Sequence, residues 1–285
     1  MLDVIYDTLI DTVKILPFLF VAFLLIEVVE HKFSEKSKRI MTGSKKYGPI
    51  LGGVLGALPQ CGFSVMATNL YITRIITMGT LIAVYLSTSD EMLPILVSEH
   101  ADIGVILKII LIKVIIGIIA GIIIDKIIIH KKEEEKYEEF DLCHDDDCHC
   151  EKGIFHSTLV HTFKTTIFIL ITTFIINLLM FYVGEDILSK ILMKDTFLSP
   201  FLASLIGLIP NCGASVILTE LYLNGVVTIS TLISGLLTGS GIALLVLFKS
   251  NKNVFENLKI LGLVYFIGSL SGIILEIIFK LVGGF

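Results

Sequence analysis

Charge is what this sequence has least of. Asp, Glu, Lys and Arg together make up 17% of 285 residues, against 54% hydrophobic residues and a mean hydropathy of +0.89. That leaves too little polar side chain to clothe a water-soluble domain, and makes a lipid bilayer the natural solvent. An early Lys or Arg is also missing: the first residues carry Asp3, Asp7 and Asp11 instead. The basic head of a cleaved secretory signal is therefore absent, and the first apolar span is expected to persist. No Lys/Arg stripe interleaves with aromatics, which argues against nucleic acid as a partner. No G-x-x-x-x-G-K-[ST] loop occurs, so energy coupling must come from an ion gradient or from a partner. Five cysteines, split between the apolar settings of Cys61 and Cys212 and a polar tract with Cys143, Cys148 and Cys150, do not form a disulfide framework. No nucleophile and base stand together as a hydrolytic pair, so an enzyme is not expected.

What the chain does have is long apolar runs. Residues 15–29, 105–124, 165–183 and 260–282 approach the ~20 residues that carry a helix across a bilayer, whereas a barrel would show short alternating strands.

It also has a repeat. Residues 55–71, LGALPQCGFSVMATNLY, align with residues 206–222, IGLIPNCGASVILTELY, at an offset of 151, and nine positions are identical. The same offset carries T-x-x-T-L-I from Thr77 onto Thr228, and L-K-x(8)-G-x-x-x-G from Leu107 onto Leu258; at an offset of 150, Thr12 and Lys14 fall on Thr162 and Lys164. Ordered agreement of Pro, Cys, Gly, Ser, Thr, Tyr and Lys points to duplication. Residues 1–130 form the first membrane repeat and residues 157–285 the second. Between them, residues 131–156 hold the one long polar stretch, a linker that cannot bury a core.

Each half reads as a long span, a segment broken at P-x-C-G, a segment broken again at S-T-S-D or T-G-S-G, and a final long span. The expected fold is an all-α polytopic membrane protein of about ten hydrophobic segments, with broken or re-entrant helices at equivalent places in both halves. Such paired interruptions are the strongest sequence pointer to a transporter site. Lys and Arg are dense in residues 31–46 but sparse in the counterpart 184–199, and the other loop pair, 98–103 and 249–259, leans the opposite way. Inverted repeats satisfy the positive-inside tendency at both pairs, with the termini outside and the linker in the cytoplasm of a cell-membrane protein.

In hydrocarbon an unpaired peptide group costs several kcal/mol, so unwound backbone persists only where something satisfies it. The two breaks are expected to line a shared cavity, with short helices starting near Ser64 and Ser215. Symmetric pairs supply its chemistry: Gln60 and Asn211, Cys61 and Cys212, Gly62 and Gly213, Ser64 and Ser215, Thr68 and Thr219; Ser87 and Ser240, which do not align with each other, add hydroxyls near the second breaks. Thiolate favours Zn, Cu or trivalent arsenic-like species; amide and hydroxyl oxygens favour harder ions such as Mn²⁺. Taken singly, Cys61 and Cys212 would read as small packing residues beside glycine. Acids break the symmetry: Asp90 and Glu91 oppose Gly241 and Ile242, and Glu220 opposes Asn69. A carboxylate inside a membrane usually marks an ion path or proton relay, although S-T-S-D is also a good helix start. In the linker, Cys143, His144, Cys148, His149 and Cys150 crowd into C-H-D-D-D-C-H-C, a tract able to chelate Zn²⁺ or similar ions without matching a closed zinc module. Gly117/Gly121 and Gly268/Gly272 permit close helix contact, within the chain or across a homodimer. Lys108 and Lys113 read as interfacial.

The duplicated P-Q-C-G and P-N-C-G segments, the ten or so hydrophobic segments and the Cys/His tract resemble the ten-spanning heavy-metal exporters, described as manganese transporters or arsenic efflux proteins. More distantly, the halves look similar to the permease group that includes organoarsenical efflux proteins. The resemblance implies a cytoplasmic-membrane secondary transporter for a metal or metalloid, acting at Cys61, Cys212 and their Pro-Gln/Asn neighbours. Its partners would be the bilayer and a small inorganic ion. It would require no cofactor beyond a transported or linker-bound ion such as Mn or Zn. Three alternatives stay open on the residues alone: a small-anion carrier coupled to protons or sodium, a membrane thiol redox protein using Cys61 and Cys212, and a metal-sensing membrane protein resting on the linker.

Overall fold

The computed structural model describes residues 47–57, 61–89, 92–129, 198–210 and 212–282, and scattered helical positions between 8 and 24 and between 155 and 178. Among the described residues there are helices and no strands. The first half contributes α1 (Gly48–Gly56), α2 (Cys61–Ile72), α3 (Met78–Ser87), α4 (Met92–Ser98) and α5 (Ile103–Ile129). The second contributes α6 (Ser199–Gly207), α7 (Cys212–Leu223), α8 (Ile229–Thr238), α9 (Ala243–Ser250) and α10 (Val254–Val282). Every helix of the second half starts 151 residues after its twin, the offset between Cys61 and Cys212.

Local chemistry places these ends. Pro49 and Pro200 sit in the first turns of α1 and α6, where a missing N–H costs nothing. The hydroxyls of Thr77 and Thr228 cap α3 and α8 by accepting from the amides of Thr80 and Thr231. A carboxylate from the last helix of the same half completes each cap. Asp125 accepts from Thr77 Oγ1 at 2.6 Å and from the Gly79 amide at 2.9 Å; its twin Glu276 accepts from Thr228 Oγ1 at 3.1 Å and from the Ser230 hydroxyl. The pairs compensate in length. Asp125 faces a glycine that leaves it room, while the longer Glu276 meets a serine.

Within each half the first, third and last helices pack together: α1, α3 and α5 in one, α6, α8 and α10 in the other. Glycine makes the approach close. A Cβ on Gly121 would lie 2.5 Å from the Gly79 carbonyl oxygen and 2.9 Å from Pro49, and one on Gly272 would lie 2.5 Å from Ser234 Cβ and 3.0 Å from Pro200. The G-x-x-x-G positions of α5 and α10 therefore serve packing inside each half.

Across the halves the short helices cross over: α2 packs on α9, α7 packs on α4, and α3 lies against both α8 and α10. Exchanging the halves maps α2–α9 onto α7–α4, as a two-fold pseudo-symmetric pair requires. Outside this centre, α5 turns Leu107, Leu111, Ile115, Ile119, Ile123 and Ile127 outward at four-residue spacing. Such a stripe suits lipid. Three described stretches are long and apolar enough to cross a membrane: Ile103–Ile127, Ile229–Ser250 and Val254–Leu281. The middle one is not continuous, being α8 and α9 interrupted at residues 239–242, and it is the most deeply buried of the three.

Candidate transport site

The described parts of the two P-x-C-G segments are the helices they open. Both α2 and α7 begin at the cysteine itself, a turn earlier than Ser64 and Ser215, because Cys-Gly starts the helix instead of prolonging the break. Gln60 and Asn211 lie outside the described residues, as do the side chains of Cys61, Gly62, Cys212 and Gly213. Asp90, Glu91 and the tract with Cys143, His144, Cys148, His149 and Cys150 also lie outside them. Among the described residues no three His, Cys, Asp or Glu side chains come together as a metal-binding group.

Of the remaining expected residues, Thr68 lies where the halves cross, whereas Ser87 packs against Gly56 and Gly117 of its own half. Thr68, buried in α2, donates to the Ser64 carbonyl at 2.8 Å and pairs with the Tyr85 hydroxyl of α3 at 2.6 Å. The Ala243 carbonyl, on the first residue of α9, lies 3.4 Å from Tyr85 Oη and 3.5 Å from Thr68 Oγ1. A polar knot thus joins two helices of the first half to the second break of the other half. Its neighbours carry the informative atoms. Asn69 is 3% exposed and Ser240 is fully buried, and among the described residues Asn69 Nδ2 and Ser240 Oγ have no hydrogen-bond partner. A buried polar group left unmatched costs about 1–3 kcal/mol, so such atoms mark a place where a guest or water belongs. The twin in the second half is different in character. Thr219 repeats the back-bond of Thr68, donating to Ser215 at 2.7 Å, but Glu220 stands in place of Asn69 and Leu236 in place of Tyr85.

The backbone around the second break is rich in oxygen. Gly241 takes a left-handed conformation, φ 54°, which a side chain would strain. A Cβ on Gly239 would stand 3.6 Å from the carbonyl oxygens of Gly235 and Leu236 and 3.9 Å from that of Gly207. The carboxyl ends of α8 and α6 therefore converge there, each with the partial negative charge of a helix terminus.

One functional candidate is absent from the sequence expectations. Lys113 reads as interfacial, yet it is 0% exposed, and its ammonium donates to the carbonyl of Thr88, just past the end of α3. Lys108, one and a half turns earlier, is exposed as expected. The signal lay in the repeat: position 113 aligns with Val264, so one half holds an ammonium where the other holds an alkyl group.

At one end of the interface, Arg74 in the turn after α2 grips Glu256 of α10 through two nitrogens, at 2.8 and 3.1 Å, and Tyr71 donates to the same carboxylate. The hydrogen bond to Glu256 raises the Arg74 guanidinium above its ordinary value. Arg74 is held at φ 60°; its twin is Gly225, at φ 69°. The described residues also line a half-open pocket of about 300 Å³ between α1, α2 and α3, walled by Leu51, Leu55, Phe63, Met66 and Val84. Its apolar walls offer an ion nothing.

No curated protein and no solved structure matches the chain. The family described as "Putative, 10TM heavy-metal exporter" matches residues 1–182, 126–254 and 154–280. Those matches span nearly the whole length, both broken segments included, and by them the chain belongs to this family of membrane exporters.

Proposed function

We propose that this chain is a secondary transporter that moves a divalent metal ion or metalloid out of the cell through the crossing of its two halves. The observation that carries this reading is the pair of buried, unpartnered polar atoms at that crossing, Asn69 Nδ2 and Ser240 Oγ. Asn69 follows Thr68 in α2, and Ser240 lies in the break just before Ala243, the residue whose carbonyl Thr68 and Tyr85 reach. Asn69 can turn either its oxygen or its nitrogen toward a guest. Ser240 and the carbonyls near Gly239 add hard oxygen ligands, and the thiols of Cys61 and Cys212, at the heads of α2 and α7, would add soft ones. Asp90, Glu91 and Glu220 would bind the cation or carry coupling protons. In this reading the repeats are inverted, the termini lie outside and the Cys/His tract faces the cytoplasm, where it would deliver or sense the metal. Alternation of the two breaks around a common centre would move the ion without any enzymatic step.

A donor such as Asn69 Nδ2 also favours an acceptor group, which keeps a small anion or oxyacid as the second reading. Flux of Mn²⁺, Zn²⁺, arsenite and simple anions into proteoliposomes separates the two. Metal or arsenite uptake that falls at least about tenfold in Asn69→Ala and Ser240→Ala is the expected result. Anion flux alone would favour the second reading, and the absence of any flux in folded protein would refute both.

A further inference from the structure

We infer that the ends of α3 and α8 are two copies of one cation site, that Lys113 fills the first with a tethered ammonium, and that the second, at Thr238–Ser240, takes a free hard cation. The inference rests on the exporter reading for its context but not for its geometry.

At the end of α3, Ser87, Thr88 and Ser89 are buried, and each turns its hydroxyl hydrogen back onto a carbonyl of its own segment: Ser87 onto Ala83 at 2.8 Å, Thr88 onto Val84 at 2.8 Å, Ser89 onto Ser87 at 3.2 Å. With their hydrogens so engaged, these hydroxyls present lone pairs to the surroundings. The helix terminus adds its carbonyls and partial negative charge. A buried ammonium is costly without such compensation, and the Lys113 ammonium rests on the Thr88 carbonyl.

The same construction recurs 151 residues on. Thr238 is fully buried and donates to the Ser204 and Gly235 carbonyls at 2.8 and 2.9 Å. Gly239 replaces Thr88, and the carbonyl oxygens of Gly235, Leu236 and Gly207 lie within ordinary contact, 3.6–3.9 Å, of where its Cβ would stand. Ser240 replaces Ser89, and its buried hydroxyl is left without a partner. The charges differ: the residue aligned with Lys113 is Val264, buried and apolar, and Gly241 and Ile242 stand where the first half has Asp90 and Glu91. At these aligned positions the second site thus keeps neutral oxygen ligands and carries no side-chain charge of its own. Carbonyl and hydroxyl ligands select a hard cation over a thiophilic one. Mn²⁺ as cargo and Na⁺ as coupling ion share this chemistry.

The test is equilibrium binding of radiolabelled Mn²⁺ and, separately, Na⁺ to the full chain in lipid nanodiscs. Val264→Lys would place an ammonium in the second site and should weaken binding of whichever ion the wild type takes by at least about tenfold, with thermal unfolding confirming the fold. Lys113→Met should add one bound ion per chain, and Lys113→Arg should leave the wild-type stoichiometry. If Lys113→Met does not fold, Val264→Lys alone decides. Wild-type affinity in a folded Val264→Lys protein, or no binding of either ion to the wild type, overturns the inference. Arsenite or Zn²⁺ flux through that same wild type would leave the exporter reading standing, so the two failures are distinguishable.

Discussion

At Gly121 a neighbouring main chain passes so near that a methyl group has no place to go. Its missing Cβ would stand 2.5 Å from the Gly79 carbonyl oxygen, whereas Gly262 in α10 has nothing within 4 Å. Two outwardly identical substitutions should therefore act in opposite directions. Gly121→Ala forces α3 and α5 apart and should cost about 1–3 kcal/mol. Gly262→Ala removes backbone entropy from a helix interior and should be neutral or stabilising by up to about 1 kcal/mol. Thermal unfolding in detergent reads both, and equal shifts would contradict the packing described. Arg74 offers a second contrast. Its φ of 60° suits glycine, and its twin is Gly225. Arg74→Ala loses the Glu256 pair and keeps the strained backbone, while Arg74→Gly loses the pair and relieves about 1 kcal/mol of strain. The glycine variant should melt higher than the alanine one.

Helix ends are where this fold was most legible. The P-x-C-G breaks placed the starts of α2 and α7 within about a turn, and Pro49, Pro200, Thr77 and Thr228 show in the structure how breakers and caps act on their own backbone. The contributions of distant residues were not legible in the same way. Nothing local says that Asp125, forty-eight positions after Thr77, reaches back to cap α3, or that Lys113 turns inward while Lys108 turns outward. Only the halves set side by side at an offset of 151 make Lys113 conspicuous, opposite Val264. Asn69 and Ser240 were anticipated as polar lining, but their lack of partners is a property of packing. The Asp125 cap has a measurable weight. Asp125→Ala strips acceptors from Thr77 and the Gly79 amide in a buried setting and should cost about 1–3 kcal/mol. Glu276→Ala should cost less, since that side chain is 16% exposed and better solvated. Chemical or thermal unfolding of the two variants ranks them, and the reverse order would contradict the burial difference.

At the scale of the whole molecule, the halves are tied more by crossing helices than by charge. The Arg74–Glu256 pair bridges them at one edge, but Arg74 is 41% exposed, so the bridge contributes about 1 kcal/mol at most. Charge exchange, Arg74→Glu with Glu256→Arg, should recover part of the transport lost in either single variant if the tie matters to alternation; no recovery would make it a static contact. The crossing itself reaches deeper. Because α2 packs on α9 and α7 on α4, separating the halves would strip Thr68 and Tyr85 of the Ala243 carbonyl they reach across the interface. A subunit made of one such half would need a second copy to bury the same groups, and joining two copies in one chain would leave each free to diverge, lysine in one and valine in the other.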